Sequence, residues 1–104
     1  MHATIRRYEG VDTARTSELA ARVNETLVPQ LRALSGFVGY YLVDSGDGVL
    51  SSLGVFEKPE QADASTKVIS EWIAEENFNG AIPNPPRITS GMVVAQSNGV
   101  VAVA

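Results

Sequence analysis

The chain has 104 residues, 44% of them hydrophobic and 19% charged, with a formal net charge of −4 at pH 7. This length fits one domain, and the dispersed Lys and Arg residues argue against a nucleic-acid partner, which requires a basic patch. The absence of cysteine excludes disulfides and thiolate chemistry. No segment is apolar over the roughly twenty residues that cross a bilayer, and the N-terminus lacks a signal core. We therefore expect a cytoplasmic protein without a membrane or nucleic-acid partner.

The first third of the chain predicts a strand followed by a long helix. Residues 2–8 are short, β-branched and aromatic, which is typical of a strand. Apolar residues then recur every three or four positions over 13–34, so an amphipathic helix is predicted there. Pro29 lies inside it and lacks a backbone donor, and we expect a kink at that point. Gly36 suits a left-handed cap after the helix.

A β-hairpin is predicted next, because the β-rich runs 37–44 and 49–57 flank the turn sequence S-G-D-G. Pro59 suits the first position of a second helix, which we expect to fray around residues 77–80. The proline-rich run that follows is predicted to be an extended linker, and 88–96 to be the fourth strand.

The strands carry apolar residues on both faces, as in Tyr40 and Tyr41 of the second strand. Two helices cover only one face of a four-stranded sheet, so the other face needs a cover, most simply an identical sheet in a homodimer. The sequence predicts an α+β, ferredoxin-like β-α-β-β-α-β domain with an antiparallel sheet over 1–96. We interpret 97–104 as a strand-like extension, with a short strand at 100–104.

The junction PQLRALSGFVGYYLVD at 29–44 and the S-G-D-G hairpin resemble the dimeric α/β-barrel superfamily. Within it, the chain resembles antibiotic-biosynthesis-monooxygenase-like proteins over about residues 2–96. The resemblance implies two sheets packed face to face in a dimeric barrel and small-molecule chemistry. In the quinone-forming members, a tryptophan beside the substrate has an Asn one turn before it and a Tyr six residues after it. Trp72 matches that tryptophan, whereas Val68 and Phe78 replace its two polar partners.

A ligand pocket is expected between the sheet and the helices, with an entrance at the frayed end of the second helix. Trp72 and Phe78 provide aromatic surface, and one of the two adjacent tyrosines faces the pocket. An amide at the border of the first helix and an arginine after the linker are candidate polar contacts. The candidate ligand-binding residues are thus Trp72, Phe78, Tyr40, Tyr41, Asn24 and Arg87.

His2 is the single histidine, and no His, Asp or Glu cluster has metal-ligand spacing. Haem-degrading members of the superfamily bind iron through a histidine near the second helix, and this chain has none there. We therefore expect no metal, haem or other cofactor.

Three functions remain open from the sequence. The chain is a cofactor-independent monooxygenase or isomerase acting on an aromatic or polyketide-like molecule, a non-catalytic binder of a small apolar ligand, or a stress-associated structural dimer. An open cavity favours the first two, and a filled interior favours the third.

Overall fold

The computed structural model describes residues 1–97, and the predicted strand at 100–104 lies outside this part of the chain. The described chain contains four strands and three α-helices in the predicted order, so the ferredoxin-like fold class is confirmed. No helix in residues 1–97 is long and apolar enough to cross a membrane. The elements are β1 (His2–Tyr8), α1 (Thr16–Arg22), α2 (Val28–Arg32), β2 (Phe37–Gly46), β3 (Val49–Phe56), α3 (Pro59–Glu75) and β4 (Arg87–Met92).

The predicted first helix is one helical segment whose middle is a π-helical turn, Val23–Leu27, between α1 and α2. The turn comes just before Pro29, which has no N–H to continue the α-helical ladder. The N–H of Val28 instead donates to the carbonyl of Val23, five residues earlier. The segment therefore continues through Pro29, and its interruption lies ahead of the proline rather than at it.

The four strands form one antiparallel sheet in the order β2-β3-β1-β4. We call the side covered by the helices the helix face; in β1 it comprises His2, Thr4, Arg6 and Tyr8. The opposite side, with Ala3, Ile5 and Arg7 of β1, is the open face. The hairpin between β2 and β3 turns at Asp47 and Gly48, whose φ angles of 54° and 77° suit a type I′ turn.

A β-bulge interrupts the alternation of β2. Strict alternation of side chains would put Phe37 on the same face as Tyr41, and Val38 on the same face as Tyr40. The register shifts by one residue between Phe37 and Gly39. Phe37 therefore lies on the helix face, edge-on to Phe56 at 5.7 Å between ring centroids, while Val38 joins the open face. Val38, the bulged residue, has no partner on β3. This extra residue puts Phe37 on the opposite face from the one that strict alternation would give it.

The end of α3 is a closed cap and not a frayed end. The N–H of Phe78 donates to Ile73 O over 2.9 Å and the N–H of Asn77 to Ala74 O over 3.2 Å, with Asn77 at φ 63°. This is the Schellman arrangement, which satisfies the last carbonyls of a helix. The predicted fraying around residues 77–80 is therefore wrong, since this end of α3 is ordered and Phe78 is buried.

The fourth strand is shorter than the predicted 88–96. Its last residue, Met92, pairs with His2, the first residue of β1, and Val93 N–H makes one further bond to Met1 O at 2.9 Å. The strand ends because its partner strand begins there. Val94 and Ala95, the next apolar residues, form no ladder pair with β1.

Candidate functional site

A cavity of about 370 Å³ lies on the helix face, between β1 and β4, α3 and the segment that joins α3 to β4. Its floor is the sheet, one wall is α3, and the roof is the segment 79–86. We call it the Arg6 cavity; it is lined by Arg6, Tyr8, Thr66, Ile69, Ser70, Ile73, Asn79, Ile82, Pro83, Asn84, Pro85, Pro86 and Ile88.

The roof of the Arg6 cavity is held by hydrogen bonds to the loop after β1. Asp12 N–H donates to Ala81 O over 2.9 Å, and Asn84 Nδ2 donates to Glu9 O over 3.1 Å. Pro83, Pro85 and Pro86 lack backbone donors and so keep this segment out of regular structure. The run that was predicted to be an extended linker thus forms the roof of the cavity, held at Ala81 and Asn84.

Arg6 is the most unusual residue of the site. It is 2% exposed, and its Nη2 donates to Thr66 Oγ1 on α3. Its Nε and Nη1 are buried without a hydrogen-bond partner, and no ion pair of Arg6 occurs within residues 1–97. Burial lowers the pKa of this guanidinium, although an arginine remains charged in proteins. A positive charge without a counterion therefore lies at the cavity wall.

Two tyrosines, the buried Tyr8 and the half-buried Tyr40, lie close enough to Arg6 to feel its charge. Burial raises the pKa of Tyr8, with the positive charge of Arg6 acting in the opposite direction. Burial, together with the neighbouring Tyr8, raises the pKa of Tyr40 to about 12. Both phenols are therefore neutral near pH 7 and serve as hydrogen-bond donors rather than as proton acceptors.

Trp72 and Phe78 lie together in the core, next to a gap of only about 20 Å³. They are 2% and 1% exposed and stack at 5.5 Å between ring centroids. Trp72 Nε1 donates to Thr26 Oγ1 over 2.8 Å, and the Arg15 guanidinium lies 4.8 Å from the Phe78 ring centroid. Neither aromatic ring lines the Arg6 cavity, so their role as ligand contacts remains a prediction.

The gap beside Trp72 adjoins the Arg6 cavity. Both spaces are lined by the same four side chains, Tyr8, Ile69, Ile73 and Ile82. These residues form the partition between the charged site and the tryptophan. The predicted pocket and the observed cavity thus lie on the same side of the sheet and are separated by one layer of side chains.

Tyr40 and Asn24 meet at a different place, a groove of about 120 Å³ over β2. Tyr40 faces the helices and packs against the core. Of the two adjacent tyrosines, it is therefore the one on the helix face. Asn24 is exposed, and its Nδ2 donates to Ala20 O over 3.1 Å. The structure therefore brings this pair together, away from the Arg6 cavity.

Tyr41 and Arg87 belong to the open face. Tyr41 is 65% exposed, and Arg87 is exposed and pairs in register with Arg7 across β1 and β4. Neither side chain lines the Arg6 cavity, and as candidate ligand contacts they remain predictions.

Sequence reasoning missed Arg6, although the alternation of β1 carries one signal for it. The alternation Thr4, Arg6, Tyr8 puts a charged residue on the helix face of a central strand, where a buried Arg is rare unless it is paired. His2 also lies on this face, half-buried, between Phe56 and Met92 on the adjacent strands. Within residues 1–97, no group of three or more His, Asp and Glu side chains is placed to hold a metal.

The sequence matches no family model and no curated protein. Among solved structures, it is similar to NE2512, a protein of unknown function from Nitrosomonas europaea, with 19% identity over 92% of this chain and 91% of that chain and a TM-score of 0.74. A provisionally named antibiotic biosynthesis monooxygenase from the same organism has 12% identity over 91% and 100% of the two chains, with a TM-score of 0.70.

A third similar structure is a monooxygenase from the gene ActVA-Orf6 of Streptomyces coelicolor in complex with Nanaomycin D. It has 16% identity over 91% of this chain and 92% of that chain, with a TM-score of 0.64. These comparisons confirm, at the level of the fold, the resemblance to antibiotic-biosynthesis-monooxygenase-like proteins.

Proposed function

We propose that this chain is the subunit of a homodimer that takes a flat apolar or aromatic molecule into the Arg6 cavity and oxygenates or isomerises it without a cofactor. The observation that carries the proposal is the cavity itself. Its volume of about 370 Å³ falls within the ~300–1,000 Å³ of small-molecule sites. Isoleucine and proline side chains form most of its wall, with a few polar groups between them, which is the usual lining of such sites.

A small-molecule occupant is supported by the fold comparison. The Streptomyces coelicolor monooxygenase shares this fold and was solved with the ligand Nanaomycin D. A polyketide-like or quinol-like compound is therefore the first class of molecule to test with this chain. The shared fold alone does not carry activity from one protein to another, so the proposal depends on the Arg6 cavity.

The chemistry available at the cavity is limited. No His, Asp or Glu occurs among the described residues that line it. Burial raises the pKa of Tyr8, so its phenol stays neutral and can donate a hydrogen bond but does not act as a base. Oxygenation would thus depend on a substrate that is itself acidic and electron-rich, with dioxygen as the oxidant. The side chains would bind the substrate, orient it and exclude water.

The homodimer is supported by the open face. Ile5, Val38, Tyr41 and Val43 are between 42% and 65% exposed on this one surface, and Leu53 and Val55 lie half-buried among them. Burying such a patch against an identical sheet removes apolar area from water, worth about 25 cal/mol per Å². A two-fold axis through this face would produce the barrel of two sheets.

Non-catalytic binding is the second candidate function. It is favoured by the same lining, because no side chain there is placed to take a proton from a ligand. The two candidates differ in turnover: an oxygenase consumes dioxygen in step with loss of a quinol or phenol, whereas a binder leaves both unchanged. Oxygen-electrode measurements with a panel of quinols separate them.

Occupation of the cavity can be followed through the isoleucines. The chain has five, Ile5, Ile69, Ile73, Ile82 and Ile88, of which all but Ile5 line the Arg6 cavity. We expect a bound aromatic ligand to shift the methyl NMR signals of those four residues through its ring current. Ile5, on the open face, serves as the internal control. A panel of naphthols, naphthamides and quinols that leaves the four cavity signals in place at millimolar concentration would refute the proposal.

A further inference from the structure

We infer that the Arg6 cavity selects aromatic ligands that carry an ionised oxygen, and that it binds an acidic phenol or enol as the anion. The inference rests on the proposed function for the location of the site and deepens it by naming the ligand class. It depends on one feature, a buried guanidinium without a counterion at the wall of an apolar cavity.

The charge of Arg6 is uncompensated within the described chain. Buried arginines are normally paired, yet this one is 2% exposed and makes no ion pair there. Its hydrogen bond goes to the neutral hydroxyl of Thr66, and its Nε and Nη1 have no acceptor. A buried, unpaired charge destabilises the ligand-free protein. An anionic ligand would act as its counterion and so reduce this destabilisation.

The geometry places this charge within electrostatic reach of a ligand in the cavity, with Nε and Nη1 themselves covered by neighbouring atoms. Arg6 and Thr66 both line the cavity, so the hydrogen bond between them fixes the guanidinium at the wall. A guanidinium matches a carboxylate or phenolate oxygen better than an ammonium does, because its N–H donors form a rigid planar fork. Isoleucine and proline side chains form much of the surrounding wall, and electrostatic attraction is stronger beside apolar groups than in bulk water.

The same charge replaces the missing base. When a phenol binds beside Arg6, its O–H bond breaks, the electron pair stays on the ligand oxygen, and the proton leaves to bulk water. An opposite charge within about 4–6 Å lowers the pKa of an acid by roughly 1–3 units. The site therefore needs no carboxylate or imidazole to generate an electron-rich anion.

The purely structural alternative is that Arg6 serves to join β1 to α3 through Thr66. A structural arginine predicts no preference for the charge of a ligand. The two interpretations therefore predict different affinities of the wild-type protein for charged and neutral ligands. This comparison needs no variant and so does not depend on whether a variant folds.

The first experiment compares 2-naphthoate with 2-naphthamide, two ligands of nearly the same shape that differ in charge, by titration against the isoleucine methyl signals at pH 7. We expect naphthoate to bind at least about tenfold more tightly. Equal affinities would overturn the inference and leave the proposed function standing. Failure of both ligands to bind would overturn the inference together with the proposed function.

The second experiment titrates 2-naphthol, whose anion has its own absorption band, in the presence of saturating protein. We expect the pKa of the bound naphthol to fall by roughly 1–3 units in the wild type. In Arg6→Met this shift should disappear, whereas the matched controls Arg7→Met and Arg87→Met, on the open face, should retain it. A bound naphthol that keeps its free pKa in the wild-type protein would overturn the inference.

Discussion

Arg6 and Arg7 are consecutive in β1, and their side chains lie on opposite faces of the sheet. Arg6 is 2% exposed beneath α3, whereas the Arg7 side chain is 49% exposed and pairs with Glu9 over 3.0 Å. The pleat of a strand alone produces this difference, since successive side chains alternate in direction. Substitutions of Arg7 can therefore serve as controls for the same substitutions of Arg6.

Replacing Arg6 by Met should leave the free energy of unfolding unchanged or raise it by up to about 4 kcal/mol, because a buried charge is exchanged for an apolar side chain of similar length. Arg7→Met should change it by no more than about 0.5 kcal/mol. Urea denaturation of the three proteins at one concentration measures both values. A loss above about 2 kcal/mol in Arg6→Met would identify Arg6 as a residue that stabilises the fold.

Thr26→Val should destabilise the protein by about 1–3 kcal/mol, because it leaves the buried Trp72 indole N–H without its acceptor. Thr26→Ser keeps the hydroxyl and should cost less than about 1 kcal/mol, close to the loss of one methyl group. Trp72 is the single tryptophan, so its indole N–H NMR signal reports the bond directly. Equal effects of the two substitutions on stability and on that signal would contradict the assignment.

Leu53→Lys should convert the proposed dimer into a folded monomer. Leu53 lies at the centre of the open face, paired with Ile5 on β1 and Tyr41 on β2, and a charge there cannot be buried against a second sheet without a large cost. Light scattering at micromolar concentration should give twice the chain mass for the wild type and for Glu71→Lys on the exposed side of α3. A wild-type monomer would exclude the dimer.

The stability of the protein should fall as the pH rises from 10 to 12. The phenol of Tyr40 has an ordinary pKa of 10.0, which burial raises to about 12, so the unfolded chain loses this proton first. The stabilisation is complete below pH 10 and amounts to at most about 3 kcal/mol. Tyr40→Phe should remove this part of the pH dependence, and Tyr41→Phe, at the exposed neighbouring position, should retain it. Urea denaturation at several pH values tests this, and an unchanged profile in Tyr40→Phe would contradict it.

The order of elements could be predicted from the sequence because each depends on local chemistry. The apolar spacing of Leu19, Val23, Leu27 and Leu31 places them on one helical stripe, and all four are buried. The Asp47-Gly48 turn follows from residues that tolerate positive φ, and the hairpin register follows from the turn. The two apolar faces of the sheet are likewise a consequence of period-two alternation.

Only the tertiary structure decided where the cavity lies and what lines it. The bulge at Val38 moves Phe37 to the helix face through a register shift that no local sequence pattern predicts. The Schellman cap seals Phe78 into the core, and the roof above Arg6 is held by residues far apart in the chain, such as Asn84 and Glu9. The site is made from contacts between β1, α3 and a proline-rich segment, so it depends on packing between residues far apart in the sequence. Hydrophobic periodicity indicates only which face of its own helix or strand a residue occupies.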